Sequence, residues 1–144
     1  MSRGPGPRGC LLLEDRDGQA GGQGMKFLVV GLGSMGKRRI RNLQHLAAGE
    51  IVGCDPREDR RAEAAGKYGI ETRSSFEHGM NEHPDAVIIS TPPDTHVEYA
   101  LAAAGAGLHF FTEVNVADAR TPKLISLCRT KNIVAAPSCT MRFH

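Results

Sequence analysis

An apolar run meets a glycine-rich turn at Val29-Val30-Gly31-Leu32-Gly33-Ser34-Met35-Gly36. Residues 26–30 are typical of a buried strand, and the apolar positions after the turn have helical spacing. In a G-x-G-x-x-G turn, the first glycine allows a tight turn and the second lets a ligand approach the backbone. The third lets the helix pack closely on the strand. The stretch therefore predicts a binding site for a dinucleotide pyrophosphate at the start of a helix.

An acidic residue follows the next strand pattern. Asp55 lies 19 positions after Gly36 and directly follows the short apolar run at residues 50–54. A carboxylate at this place accepts hydrogen bonds from the hydroxyls of the adenosine ribose, and it repels a 2′-phosphate. Asp55 is therefore predicted to bind the ribose, which favours NAD over NADP as the cofactor.

The residues after Asp55 leave two alternatives open. In the first, Asp55 only caps a helix that begins at Pro56, since proline is favourable at the first helical position. In the second, a guanidinium of the following arginines binds a 2′-phosphate, so that NADP is the cofactor. These arginines are Arg57, Arg60 and Arg61.

Short apolar runs alternate with helical patterns along the rest of the chain. Strands are predicted at 26–31, 50–54, 69–71, 85–90, 107–112 and 132–136. Helices are predicted at 35–48, 57–67, 95–105 and 118–131, with a helix or turn at 74–80. This alternation is typical of a parallel sheet covered on both faces. We therefore predict an α/β fold of Rossmann type, a doubly wound parallel sheet in a three-layer α/β/α arrangement.

Length and composition fit one globular domain. The chain has 144 residues, of which 40% are hydrophobic and 24% charged, with a formal net charge of +2. Residues 1–24 are rich in Gly, Pro and Arg and cannot bury a core, so a disordered segment is predicted there. Residues 25–137 are predicted to form an NAD(P)-binding domain.

Several classes of partner are not expected. No stretch approaches the roughly 20 apolar residues of a membrane span, and the basic residues lack the aromatic pattern of a nucleic-acid binder. The cysteines show neither C-x-x-C pairing nor a histidine at zinc-finger spacing, and they are Cys10, Cys54, Cys128 and Cys139. We predict free thiols, no metal site and a cytoplasmic protein.

A second polar turn follows a buried run at Ser90-Thr91-Pro92-Pro93-Asp94-Thr95-His96. Ligands of open parallel sheets bind beyond the carboxyl ends of the strands, so Ser90, Thr91 and Pro92 are predicted to contact the cofactor. His96 has two interpretations. It is a group of the cofactor site, or it is a packing or surface residue in the first turn of a helix, which carries more weight without a visible partner.

Three stretches form a pattern in order along the chain: GLGSMGKR at 31–38, STPPDTH at 90–96 and AGAGLHFFTE at 104–113. Together they closely resemble the amino-terminal domain of the Gfo/Idh/MocA oxidoreductases, and the resemblance covers residues 25–144. It implies an NAD(P)-dependent dehydrogenase or reductase of sugars, inositols or related polyols. It also implies that Glu113 contacts the nicotinamide ribose, and that the substrate binds on a following α+β domain.

The chain departs from the family pattern at two places. The family typically has Glu-Lys-Pro where this chain has Glu113-Val114-Asn115, and a valine cannot assist proton transfer, so the catalytic residues stay unknown. The sequence stops at His144, and residues 138–144 resemble the start of the crossing to the second domain. We therefore expect a truncated nucleotide-binding domain without the usual second domain, and whether it is active alone stays open.

A non-catalytic NAD(P)-binding sensor or partner subunit is the alternative function, because such a protein does not need the lysine. In both cases we expect a nicotinamide dinucleotide as ligand, with NAD first and NADP second. A small carbohydrate-like substrate is expected only with a second domain. A domain without its usual companion domain leaves apolar surface exposed, so we expect a homo-oligomer. The predicted cofactor-binding residues are Gly31, Gly33, Ser34, Met35, Gly36, Asp55, Arg57, Ser90, Thr91, Pro92, His96 and Glu113.

Overall fold

The computed structural model describes residues 24–113 and 118–138. Its strands are β1 (Met25–Val30), β2 (Gly49–Cys54), β3 (Glu71–Arg73), β4 (Ala86–Ile89), β5 (His109–Thr112) and β6 (Ala135–Pro137). Its α-helices are α1 (Ser34–His45), α2 (Glu58–Tyr68), α3 (Phe76–Met80), α4 (His96–Gly105) and α5 (Thr121–Thr130). A 3₁₀ turn at Pro93–Thr95 leads into α4. Residues 1–23, 114–117 and 139–144 lie outside the described residues, and with them Val114, nearly all of the predicted disordered segment and nearly all of the predicted crossing to a second domain.

Within the described ranges, six strands form one parallel sheet in the order β3-β2-β1-β4-β5-β6. In the centre, Phe27 of β1 lies opposite Ile51 of β2 on one side and Ala86 of β4 on the other. The sheet grows outward in both directions from β1, so the direction of winding reverses between β1 and β4. This is the strand order of a dinucleotide-binding fold, and the predicted doubly wound arrangement is confirmed.

Helices cover both faces of the sheet. Successive β1 residues point to opposite faces, so Leu28 and Val30 join one apolar cluster while Val29 joins the other. The Leu28 cluster includes residues from α3, α4 and α5. The Val29 cluster includes Ile40 of α1 and Ala64 of α2. The buried, two-sided strands explain why the sequence shows continuous apolar runs rather than alternation.

Several element bounds differ from the prediction, because helices end in left-handed residues. The helix predicted to reach residue 48 ends at His45, and Ala47 has φ 49°. The strand predicted at 69–71 lies at Glu71–Arg73, since Gly69, with φ 65°, closes α2. At such a closing position glycine adopts positive φ without a steric penalty.

The carboxyl-terminal elements are displaced in the same way. The helix predicted at 118–131 covers Thr121–Thr130, and Asn132, with φ 56°, follows it. The N–H of Ile133 donates to the carbonyl of Cys128 (2.8 Å), so the closing turn of α5 occupies the predicted start of β6.

Among the helices of the described ranges, none has the length and apolar character of a membrane span.

Candidate cofactor-binding site

The glycine turn is held against the ends of two strands. The N–H of Gly31 donates to the carbonyl of Cys54 at the end of β2 (2.9 Å). Gly31 has φ 91°, and a Cβ built on it lies 2.6 Å from the carbonyl oxygen of Ser90. Any side chain would therefore be strained by the backbone angle and would also collide with the residue that follows β4.

The other two glycines of the turn differ in what surrounds them. A Cβ on Gly36 would lie 1.7 Å from the carbonyl oxygen of Gly31, so glycine is required for α1 to pack on the turn. Gly33 has extended backbone angles, φ −74° and ψ −164°. Its nearest contact for a Cβ is the guanidinium of Arg60 at 3.7 Å, which is ordinary van der Waals contact. The described protein groups thus leave room for a side chain at Gly33.

The start of α1 presents its backbone N–H groups at this turn. Gly33 is the N-cap residue, and as a glycine it has no side chain that could cap the helix. The first turn contains Ser34, Met35 and Gly36 and holds no acidic side chain. The amino-terminal end of a helix carries partial positive charge and free N–H groups, so this end is suited to an anion.

Asp55 connects the glycine turn to the turn before α2. Its carboxylate is buried, with 4% of the residue exposed. Oδ2 accepts a hydrogen bond from the N–H of Leu32 (2.9 Å), and Oδ1 accepts one from the N–H of Arg57 (2.9 Å). The helix begins at Glu58 with Arg57 as its N-cap residue, one residue after the predicted start at 57. The start at Pro56, which the capping alternative assumed, is wrong. Arg57 has extended backbone angles, which delay the first helical turn.

The three arginines after Asp55 have different partners. Arg57 forms an exposed ion pair with Asp59 (2.6 Å). Arg61 donates to the carbonyls of Asp55 and Pro56, at 2.8 and 2.9 Å. Arg60 places Nη1 3.5 Å from Oδ2 of Asp55. The guanidinium beside the Asp55 carboxylate is therefore that of Arg60, whereas Arg57 was the one predicted for the site.

The turn after β4 is fixed by its own side chains. The N–H of Ser90 donates to the carbonyl of Val30 (2.8 Å), which continues the pairing of β4 with β1. The hydroxyl of Thr95 lies 2.7 Å from Oγ1 of Thr91 and 2.8 Å from the carbonyl of Pro92. These bonds hold the turn beside the glycine turn.

His96 lies behind this turn rather than in it. The residue is 1% exposed, and Nε2 lies 2.7 Å from the carbonyl oxygen of Thr91. A carbonyl only accepts, so Nε2 carries the proton and donates. Nδ1 of His96 and the hydroxyl of Ser90 are buried without a hydrogen-bond partner among the described residues.

Glu113 directly follows β5 and binds Arg39 of α1. Its Oε1 accepts hydrogen bonds from Nε (3.0 Å) and Nη2 (2.7 Å) of Arg39. Both side chains are about five-sixths buried, with exposed fractions of 16% and 17%. Sequence reasoning named Glu113 but missed Arg39, because 74 residues separate the two and neither motif links them.

A cleft of about 490 Å³ opens at the carboxyl ends of the strands. The predicted residues that line it are Gly31, Gly33, Ser34, Met35, Asp55, Arg57, Ser90, Thr91 and Pro92. Gly36, His96 and Glu113 are not among its lining residues. Residues that line it but were not predicted for the site include Arg60, Ser74, Ser75, Phe76, Thr95 and Tyr99.

A signal for some of these residues was present in the sequence. Ser74 and Ser75 directly follow β3, and residues beyond the carboxyl end of a parallel strand face the ligand side. Placing that strand at 69–71 moved its end away from the serines. The rings of Phe76 and Tyr99 meet edge to face, with centroids 5.1 Å apart. Nothing in their local sequence distinguishes such a pair from core residues.

Cys54 lines the cleft, and its surroundings disfavour the thiolate form. Burial, and secondarily the charge of Asp55, raises the pKa of the Cys54 thiol to about 12. The thiolate is the reactive form, so at pH 8 we expect iodoacetamide to alkylate native Cys54 at least about 100-fold more slowly than the same cysteine in urea. Peptide mass spectrometry measures both rates. Equal rates in native and unfolded protein would contradict the buried position.

The strand order, the glycine turn and the buried Asp55 define a Rossmann-type dinucleotide-binding domain. The chain belongs to the Gfo/Idh/MocA family: residues 25–134 match the family model described as oxidoreductase family, NAD-binding Rossmann fold. The resemblance seen in the sequence motifs is therefore confirmed.

Three known proteins illustrate the relationship. The chain is 33% identical over 125 residues to a 4-carboxy-2-hydroxymuconate-6-semialdehyde dehydrogenase of a Sphingobium species, covering 83% of this chain and 40% of that protein. It is 30% identical over 126 residues to a Thermotoga maritima myo-inositol 2-dehydrogenase, covering 83% and 37%. The WlbA dehydrogenase of Bordetella pertussis, solved with NADH and UDP-GlcNAcA, aligns with a TM-score of 0.67 at 25% identity, covering 76% and 36%. The chain thus spans about two fifths or less of these proteins.

Proposed function

We propose that this chain binds NAD as the nucleotide-binding domain of an oxidoreductase of sugars, inositols or related polyols. The names of the relatives support the reaction class, since one is an inositol dehydrogenase and the solved WlbA structure holds NADH with a sugar nucleotide. The bound dinucleotide supplies hydride transfer. The substrate would bind on a second domain, as the family resemblance implies.

The observation that carries the proposal is the open space around Gly33. The protein's own groups leave room for a Cβ there, and the backbone angles are ordinary, so neither packing nor conformation requires glycine. A ligand that approaches the backbone does require it. Ser34 and Met35 contribute N–H groups at the start of α1, where a pyrophosphate binds favourably. Gly31 and Gly36 shape the turn so that these groups face the cleft.

Asp55 and Arg60 decide between the two cofactors. The Asp55 carboxylate accepts hydrogen bonds from the ribose hydroxyls and repels a 2′-phosphate, which supports NAD. Arg60 lies 3.5 Å from this carboxylate and reduces that repulsion, so NADP is the second choice. Arg57 remains a candidate in the cleft, but its ion pair with Asp59 has to break before it binds a phosphate.

The remaining residues bind or support the nicotinamide half. Ser90, Thr91 and Pro92 form the wall of the cleft at the end of β4. His96 supports this wall through the Thr91 carbonyl rather than by touching the cofactor. Glu113 contacts the nicotinamide ribose. A homo-oligomer is part of the proposal. The large apolar side chains exposed among the described residues are Leu46, Ile125 and Val134, at 72%, 46% and 63%.

A non-catalytic sensor or partner subunit is the second candidate function. Val114 favours it, because the resemblance places a lysine there that would assist the transfer of a proton. The sensor binds the same cofactor through the same residues. The two candidates therefore share the cofactor site and differ only in turnover.

Calorimetric titration of the full chain with NADH and with NADPH tests the proposal. We expect saturable binding of both and a Kd for NADH at least about tenfold lower, which corresponds to about 1.4 kcal/mol. A cooperative melting curve from circular dichroism establishes that the sample is folded. Absence of binding by a folded sample would contradict the proposed function, and equal affinities would contradict the preference for NAD.

A further inference from the structure

Arg39 connects three parts of the fold at the carboxyl edge of the sheet. It lies on α1, the helix that begins at the glycine turn, and it reaches Glu113 at the end of β5. The same Nη2 lies 3.4 Å from the hydroxyl of Ser138, directly after β6. The N–H of Ser138 in turn donates to the carbonyl of Thr112 (2.7 Å), beside Glu113.

The guanidinium of Arg39 is held in orientation by its packing. It lies over the ring of Phe111, 4.8 Å from the centroid, where the electron-rich ring face attracts a cation. Its planar fork directs two N–H groups at one oxygen, Oε1 of Glu113. The described residues make no hydrogen bond to the other oxygen, Oε2. Glu113 is therefore fixed through one oxygen and keeps a second acceptor.

Charge gives the pair a further property. A carboxylate that is largely buried, as that of Glu113 is, is costly to keep without an opposite charge beside it. Arg39 compensates the charge of Glu113 and leaves its Oε2 able to accept from a hydroxyl. An isolated carboxylate or a free guanidinium would provide only one of these properties.

We propose that Arg39 is a positioning residue that holds Glu113 to accept a hydroxyl of the cofactor's nicotinamide ribose. The proposal rests on the proposed function, since it assigns a role at the same cofactor site. Arg39 does not touch the cofactor; it acts through the orientation and charge of Glu113. Because Arg39 is on α1, the helix that receives the pyrophosphate also positions the group for the distal ribose.

A ligand series tests this role, with calorimetric titration of the full chain. ADP contains only the adenosine and pyrophosphate, whereas ADP-ribose and NADH also contain the distal ribose. We expect Arg39→Met to weaken ADP-ribose and NADH about tenfold and to leave ADP within about twofold. Arg41→Met is the matched control, because it removes the same charge from an exposed position on the same helix, and all three ligands should stay within about twofold.

Glu113→Gln keeps the test decisive if Arg39→Met does not fold. It retains the Arg39 packing on Phe111 and is expected to weaken ADP-ribose and NADH in the same pattern, with ADP unchanged. The double variant should bind ADP-ribose and NADH only slightly more weakly than Arg39→Met does, because the two substitutions disrupt the same interaction.

The outcomes separate the two proposals. If Arg39→Met weakens ADP as strongly as ADP-ribose, or if it lowers only the melting temperature, Arg39 has a general or structural role and the positioning proposal is wrong. If the folded wild-type chain binds none of the three ligands, the proposed function itself fails. If wild type binds all three and neither Arg39→Met nor Glu113→Gln changes the affinities, only the positioning proposal fails.

Discussion

Gly36→Ala is expected to abolish NADH binding and to lower the free energy of unfolding by about 3 kcal/mol, the upper end of ordinary overpacking costs. The added Cβ would lie 1.7 Å from the carbonyl oxygen of Gly31, which is backbone and cannot rotate away. Either α1 moves outward from β1 or the turn moves into the cleft. Both movements displace the N–H groups that face the pyrophosphate.

Gly66→Ala is the matched control for this substitution. Gly66 lies inside α2, and a Cβ on it meets no atom within 4 Å. Alanine is a better helix former than glycine, so the control should raise the free energy of unfolding by about 0.5–1 kcal/mol and leave NADH affinity unchanged. Urea denaturation followed by circular dichroism measures both variants. A Gly36→Ala chain with normal stability and normal NADH affinity would contradict the close packing of α1 on the turn.

Asp55→Asn is expected to weaken NADH at least about tenfold and NADPH much less, so that the preference between the two cofactors narrows or reverses. A neutral amide accepts more weakly from the ribose hydroxyls, and it no longer repels a 2′-phosphate. Arg60, 3.5 Å away, is then free of its opposing charge and faces the phosphate. Parallel titrations with the two cofactors measure the change.

The same substitution also tests the structural role of Asp55. Both carboxylate oxygens accept backbone N–H groups, from Leu32 and from Arg57. An asparagine accepts through only one of its two terminal atoms, so one N–H loses its acceptor at a cost of about 1–3 kcal/mol. Asp118→Asn, which removes a charge at the start of α5, should leave both affinities unchanged. Unaltered NADH affinity in a folded Asp55→Asn chain would show that Asp55 does not bind the ribose.

The two roles predicted for Asp55, binding the ribose and capping a helix, do not include its hydrogen bond to the N–H of Leu32 in the glycine turn. Sequence spacing placed the residue at the end of β2, but spacing does not reveal that one oxygen reaches back to the glycine turn. That bond depends on the approach of β1 and β2, which are paired from Met25 opposite Gly49 to Val30 opposite Cys54. Asp55 therefore holds the two turns together, and its proposed contact with a ribose comes in addition.

The fold was predictable because the strands are continuous apolar runs and the turns contain diagnostic glycines and prolines. The exact ends of elements were not, since Ala47 and Asn132 adopt positive φ without being glycine. The ion-pair partners of the arginines after Asp55 could not be predicted from the local sequence either. Arg57 and Arg60 differ in their partners only because the helix begins at Glu58 and turns Arg60 toward Asp55.

The cradle at the glycine turn is held together by the protein's own groups. Gly31 is bonded to the end of β2, Leu32 to Asp55, and the close approach of Ser90 blocks the third side. The conformational entropy of this turn is therefore lost when the sheet folds, not when a dinucleotide arrives. A ligand that meets a rigid receptor loses less of its interaction energy to ordering, so tight association is achievable through a small number of backbone contacts. Damage to the sheet far from the cleft would consequently appear as weaker affinity before any contact residue had changed.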